Sequence, residues 1–89
     1  EAWHTPVAPH DCTGPVVYAA SCHFSLHARN ALIQESVRAL YTGWYREVSD
    51  GLPVVANGAV TLSDRPGLGI ELLPDLEKRA DASVRVSKL

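Results

Sequence analysis

Apolar residues gather in two short runs, residues 5–9 and 31–34, and each run leads into a stretch with helical spacing. Short continuous apolar runs are the form strands take when both sheet faces are covered, as in parallel α/β sheets. Pro6 and Pro9 cannot donate ladder hydrogen bonds, so the first strand is expected to be short or irregular at its ends. Thr13-Gly14-Pro15 reads as a helix start, because proline at the first helical position sacrifices no bond. Residues 16–28 follow as a helix, with Val16, Ala19, Ala20, His23, Phe24 and His27 on one face. A second helix is predicted over residues 37–48, weakened at Gly43 by about 1 kcal/mol relative to alanine.

From Ser49 the pattern changes. Ser49-Asp50-Gly51 is a predicted turn. Residues 52–56 and 59–62 flank Asn57-Gly58, a pair whose tolerance of positive φ marks a hairpin. A glycine-rich connection follows over residues 63–69. Residues 70–73 read as a further strand and residues 74–80 as a short charged helix, and the tail to Leu89 is polar and expected to be mobile. The chain thus divides into residues 1–50, two strand–helix units, and residues 51–89, a β-rich tail. Two parallel strands alone leave two open edges and a poorly covered face, so the pattern requires further strands.

Two ionisable side chains stand at the ends of the two predicted strands. His10 follows the first and Glu35 the second, so they occupy equivalent places in successive units. Their separation is close to one βα repeat, roughly thirty residues when a (β/α)8 barrel of about 250 is divided by eight. Catalytic groups in such barrels sit at the C-terminal ends of neighbouring strands. An imidazole titrates near neutrality and can take a carbon-bound proton. A carboxyl group held in a pocket of low dielectric can stay protonated and donate to a developing oxyanion. The plainer alternatives are a turn histidine beside a helix start and a carboxylate that complements the helix dipole.

Other motifs carry less chemistry. His23 and His27 have the four-residue spacing of a zinc-protease helix, but Phe24 stands where that motif needs its glutamate base. Cys12, Cys22, His23 and His27 lack the close cysteine pairing of a structural zinc site, so both histidines are expected to line a packing face. Cys22 is expected to pack inertly in the core, with no disulfide to Cys12. Pro66-Gly67-Leu68-Gly69 lacks the Lys-Ser/Thr of a phosphate loop and reads as a tight turn. Trp44-Tyr45 reads as a core or interface pair.

Composition narrows the class. A hydrophobic share of 46% and a charged share of 20% fit an ordinary soluble globular protein, and a net charge of −2 argues against a nucleic-acid partner. No apolar run approaches the ~20 residues of a membrane span, and Glu1-Ala2-Trp3-His4 shows no signal-peptide pattern. The absence of methionine and the start at Glu1, with the unfilled strand edges, point to a piece of something larger, working in the cytoplasm.

Pro9-His10-Asp11 with Gly14-Pro15, Asn30, Gln34-Glu35, Trp44-Tyr45 and Pro66-Gly67-Leu68-Gly69 together resemble the C-terminal end of the enolase superfamily. The resemblance is to its mandelate racemase/muconate lactonizing enzyme branch, and within that to acid-sugar dehydratases of the galactonate type. It runs from about Val7 to Leu72. It implies an α/β fold: the last two βα units of a TIM-type barrel, then the C-terminal β-rich tail of an α+β capping domain, incomplete within this chain. It implies Mg2+-dependent removal of the proton α to a carboxylate, with loss of a β-hydroxyl. His10 would be the general base and Glu35 the group that hydrogen-bonds the substrate carboxylate. The metal ligands of the family lie on middle barrel strands, which this chain lacks, so it is expected to hold no metal ligand and to be inactive alone. The implied partners are a small sugar-acid substrate and further copies of the parent, with no membrane. A racemase or epimerase of the same superfamily and a non-catalytic interaction module are the alternatives.

Overall fold

The computed structural model describes residues 3–88. The first helix, α1, spans Pro15–His27, with Pro15 at its first position and Gly14 extended before it. The two apolar runs preceding α1 and following it lie side by side and run parallel, but their regular pairing reduces to one bridge, Val7 with Ala31. Around it the Val7 N–H donates to the Asn30 carbonyl at 2.9 Å and the Leu32 N–H to the Val7 carbonyl at 2.8 Å. The predicted strands over 5–9 and 31–34 are therefore shortened. Pro6 and Pro9 have no N–H to extend the ladder. Side chains replace it: the Asn30 amide donates to the Thr5 carbonyl at 2.7 Å.

The helix buries a face rotated from the predicted one and sharing Ala19 with it. Pro15, Tyr18, Ala19 and Cys22 are buried, at helical spacing, while Val16, Val17, Phe24 and Leu26 are exposed. Both sides of α1 carry apolar residues, and the side with the large tyrosine wins the interior. His23 is half-buried and His27 exposed, so His27 lines no packing face. The His23 imidazole Nε2 lies 3.2 Å from the Leu68 carbonyl oxygen.

The second predicted helix is broken. A widened π-helical turn spans Leu40–Trp44, with Gly43 at φ −120° and ψ −106°, and α2 follows as Tyr45–Val48. Gly43 absorbs the kink that its helix-weakening character foreshadows. Beyond α2, Ser49–Asp50 forms β1 rather than the expected turn, and pairs antiparallel with β4, Glu71–Leu72. Between them β2, Val54–Ala56, and β3, Ala59–Thr61, form the predicted hairpin. Its turn places Asn57 at φ 51° and Gly58 at φ 75°, the two positive values that a two-residue type I′ turn needs. The charged helix expected over 74–80 shrinks to a 3-10 turn at Leu76–Lys78, entered through Asp75 in the left-handed region. Residues 82–88 carry no helix or strand, and Leu89 lies outside the described residues.

The core is small. Tyr18, Cys22 and Tyr45 are fully enclosed and meet Leu40, Tyr41, Leu52, Val55, Val60 and Leu62. Tyr18 stacks on Tyr41 at 6.1 Å between ring centroids and tilts against Tyr45 at 6.2 Å. The hairpin joins this core through the inward side chains Val55 and Val60. Leu32 and Ile33, in the second apolar run, remain 76% and 59% exposed, without cover from the described residues.

Candidate active site

His10 leaves the first run and Glu35 the second, at the same ends of two parallel segments. The Glu35 N–H donates to the Pro9 carbonyl at 3.0 Å, which sets the two turns in register. The Gln34 side-chain amide donates to the same carbonyl at 3.2 Å and to the Glu35 carbonyl at 2.8 Å. Gln34 is held in turn by the Ser25 hydroxyl, which donates to its Oε1 at 2.8 Å. The backbones on either side of the two ionisable groups are therefore tied directly and through Gln34.

The result brings the two predicted site residues together. His10 Nε2 lies 4.0 Å from Glu35 Oε2, with side chains 63% and 52% exposed. That separation lets both groups reach one small ligand, and the exposure means that other walls would have to enclose it. An imidazole and a carboxyl side by side can relay a proton and steady developing negative charge.

Asp11 turns inward next to His10. It is 1% exposed, and the Tyr45 hydroxyl donates to its two carboxylate oxygens at 3.0 and 3.3 Å. Burial raises the Asp11 carboxyl above its usual range, opposed by the Tyr45 hydrogen bond, the nearby His10 and the Thr13 N–H. Burial, then the bond to Asp11, pushes the Tyr45 hydroxyl up to about 12. Beside them the Tyr18 hydroxyl is buried with no hydrogen-bond partner among the described residues. Burial also raises the Cys22 thiol to about 11, which fits the inert packing expected of it. Both cysteines are free. Reading the chain alone leaves the Asp11–Tyr45 link unassigned. The one hint in the sequence is an acidic residue directly after the candidate base.

An open cleft of about 310 Å3 lies elsewhere, lined by Cys22, Leu26, Leu32, Ile33 and Val60 among others. It contains neither His10 nor Glu35. Its lining includes the exposed side chains of Leu32 and Ile33.

Among the described residues no three His, Cys, Asp or Glu side chains gather into a group able to hold a metal ion. His10 and Glu35 alone do not fit the oxygen-rich shell that Mg2+ demands. No helix among the described residues is long and apolar enough to cross a membrane.

Two parallel segments presenting an imidazole and a carboxyl at one end, followed by a β-rich return, make a mixed helix-and-strand unit. The chain belongs to the enolase C-terminal domain-like family, whose model matches residues 1–76. It is 34% identical over 89 residues to a D-galactonate dehydratase of Xanthomonas campestris pv. campestris (strain B100), covering 91% of this chain and 22% of that protein. A D-galactonate dehydratase family member of Enterococcus gallinarum (strain EG2) is 35% identical over 71 residues, 80% of this chain and 16% of that one. Among solved structures, a mandelate racemase subgroup enolase from Agrobacterium tumefaciens matches with a TM-score of 0.77 and 61% identity, over 86% of this chain and 21% of that one. An enolase protein from Sargasso Sea environmental sequencing matches with a TM-score of 0.78 and 49% identity, over 90% of this chain and 21% of its own. The chain spans about a fifth of the length of the D-galactonate dehydratase of Xanthomonas campestris, at 22%.

Proposed function

We propose that this chain is the C-terminal part of an acid-sugar dehydratase of the mandelate racemase branch. Residues 1–50 would close a (β/α) barrel and residues 51–89 would return to a capping domain. Leu32 and Ile33, exposed here, would then meet barrel strands contributed by the rest of the polypeptide. The observation that carries the reading is the 4.0 Å approach of His10 to Glu35 at matching ends of two parallel segments. The similarity to D-galactonate dehydratases supplies the substrate class, a small sugar acid. The parent is read as a cytoplasmic homo-oligomer.

In this reading the His10 imidazole removes the proton on the carbon next to the substrate carboxylate. The electron pair of that C–H bond passes into the carboxylate as an enediolate. Glu35 donates a hydrogen bond to the oxygen on which charge grows. As the enediolate collapses, its electron pair forms the Cα–Cβ double bond while the Cβ–O bond breaks. The departing oxygen keeps the Cβ–O electron pair, takes a proton from an acid of the site and leaves as water. The described residues do not fit a Mg2+ site, so no step here passes through the metal.

The test is α-proton exchange in D2O, followed by NMR, in the complete enzyme with a panel of sugar acids. His10→Asn is expected to abolish exchange, and unchanged exchange in that variant removes His10 as base. The products separate dehydration from the racemase or epimerase alternative, which returns the proton without losing the hydroxyl. Intact mass of the natural polypeptide separates the enzyme from an interaction module: a larger polypeptide or a companion chain supports the enzyme, and a lone chain of 89 residues with a closed core supports the module.

A further inference from the structure

Asp11 is an expensive residue to bury. An apolar side chain of the same size would fill its place without the cost of stripping water from a carboxylate. It nevertheless lies inside, 1% exposed, while its neighbour His10 projects outward. The two residues are adjacent on one short stretch of backbone, so the inward grip on Asp11 limits the directions open to the exposed His10 side chain. The grip comes from Tyr45, 34 positions later, in the helix that follows Glu35. Tyr45 is itself immobilised, 0% exposed and wedged between the Tyr18 and Trp44 rings at 6.2 and 5.3 Å.

We propose that Asp11 and Tyr45 are positioning residues: their buried hydrogen bond ties the turn that carries His10 to the helix beyond Glu35, and so fixes the imidazole opposite the carboxyl group. The proposal rests on the reading of His10 as the base of the parent enzyme. Neither residue touches substrate. The link acts through the backbone, and it is separate from the Gln34 brace, which joins Pro9 to Glu35.

The test compares the complete enzyme with Tyr45→Phe and with the double variant Asp11→Leu/Tyr45→Phe. The single variant strands a buried carboxylate and is expected to lose stability. The double variant removes both polar partners, which a core tolerates far better, and is expected to regain the lost unfolding midpoint. Both are expected to slow α-proton exchange by about tenfold or more with KM within about twofold, because a small displacement of a reacting group is costly to rate. In both, the His10 ring signal in the NMR spectrum, assigned by its loss in His10→Asn, is expected to shift or broaden. A double variant that regains exchange together with stability overturns the proposal and leaves the pair a merely structural role. So does a double variant whose His10 signal matches the wild type. If the wild type catalyses no α-proton exchange with any sugar acid, the dehydratase reading fails. The His10 signal still decides whether the bond positions the ring.

Discussion

His10 Nε2 stands 4.0 Å from Glu35 Oε2, and the backbone of Glu35 is bonded to the residue just before His10. The spacing of the two side chains is thus inherited from main-chain hydrogen bonds rather than from their own mutual attraction. Exposed polar pairs contribute little to stability, so this pair has no structural reason to be held together. Changing either side chain should leave folding nearly untouched and register in the chemistry.

Glu35 separates two kinds of chemistry. If its carboxyl donates a hydrogen bond to growing negative charge, an amide can partly replace it. Glu35→Leu is then expected to lower kcat of the complete enzyme by about a hundredfold or more, with Glu35→Gln retaining clearly more, as for loss of an oxyanion donor. If Glu35 instead accepts a proton, glutamine and leucine are equally damaging. Steady-state rates of the two variants decide between them.

Asp11 makes stability depend on pH with a definite sign. Its carboxyl is raised in the folded state above the ordinary 3.8, chiefly by burial. A raised group favours folding fully below 3.8 and loses that contribution as pH climbs through its folded value. Asp11→Asn cannot ionise and keeps an oxygen for the Tyr45 hydroxyl. The urea midpoint of the variant should therefore gain on the wild type as pH rises from below 3.8 toward neutrality. A gap between the two proteins that stays constant with pH would show that Asp11 carries no raised pKa.

Much of this architecture is legible in the chain because local chemistry forces it. Pro15 announces α1, Asn57-Gly58 announces the hairpin, and the two apolar runs place His10 and Glu35 at matching ends of parallel segments. Three features escape such reasoning for physical reasons. α1 has apolar side chains on both flanks, so periodicity cannot choose between Phe24 and Tyr18 for the interior; packing against Tyr41 and Tyr45 chooses. The β1–β4 pairing joins Ser49 to Leu72 through two residues on each side, too short for any propensity to mark. Asp11 reads as an ordinary polar turn residue until Tyr45 arrives from a distant helix to receive it.

Two glycines with the same backbone sign should respond differently to alanine. Gly58 sits at φ 75° with open space where a Cβ would stand, so Gly58→Ala costs the left-handed backbone strain alone, about 1 kcal/mol. Gly51 sits at φ 78°, and a Cβ there would collide with the Gly69 carbonyl and come within 2.7 Å of Arg65 Nη1. Arg65 is engaged with Asp50 at 2.8 Å, and the Gly69 oxygen is backbone, so relief requires moving the loop between β3 and β4. Gly51→Ala should therefore lower the unfolding midpoint at least twice as far as Gly58→Ala, a comparison that thermal melts of the two variants make directly. Equal losses would mean that the approach of Gly51 to Gly69 does not constrain the fold.

Tyr18 offers the opposite sign. Its ring is central to the core, stacked on Tyr41 and tilted against Tyr45, but its hydroxyl is buried without a partner among the described residues. Burial holds that hydroxyl well above the usual tyrosine range, as expected for a group that cannot afford to ionise there. Tyr18→Phe keeps every ring contact and removes an unsatisfied polar atom, whose burial costs about 1–3 kcal/mol. Most substitutions of fully buried residues destabilise. This one is expected to raise the unfolding midpoint or leave it unchanged, with α-proton exchange unaffected because the ring still supports Tyr45. A clear fall in the midpoint would show that the Tyr18 hydroxyl is partnered after all, by the neighbouring Cys22 thiol or by a group outside the described residues.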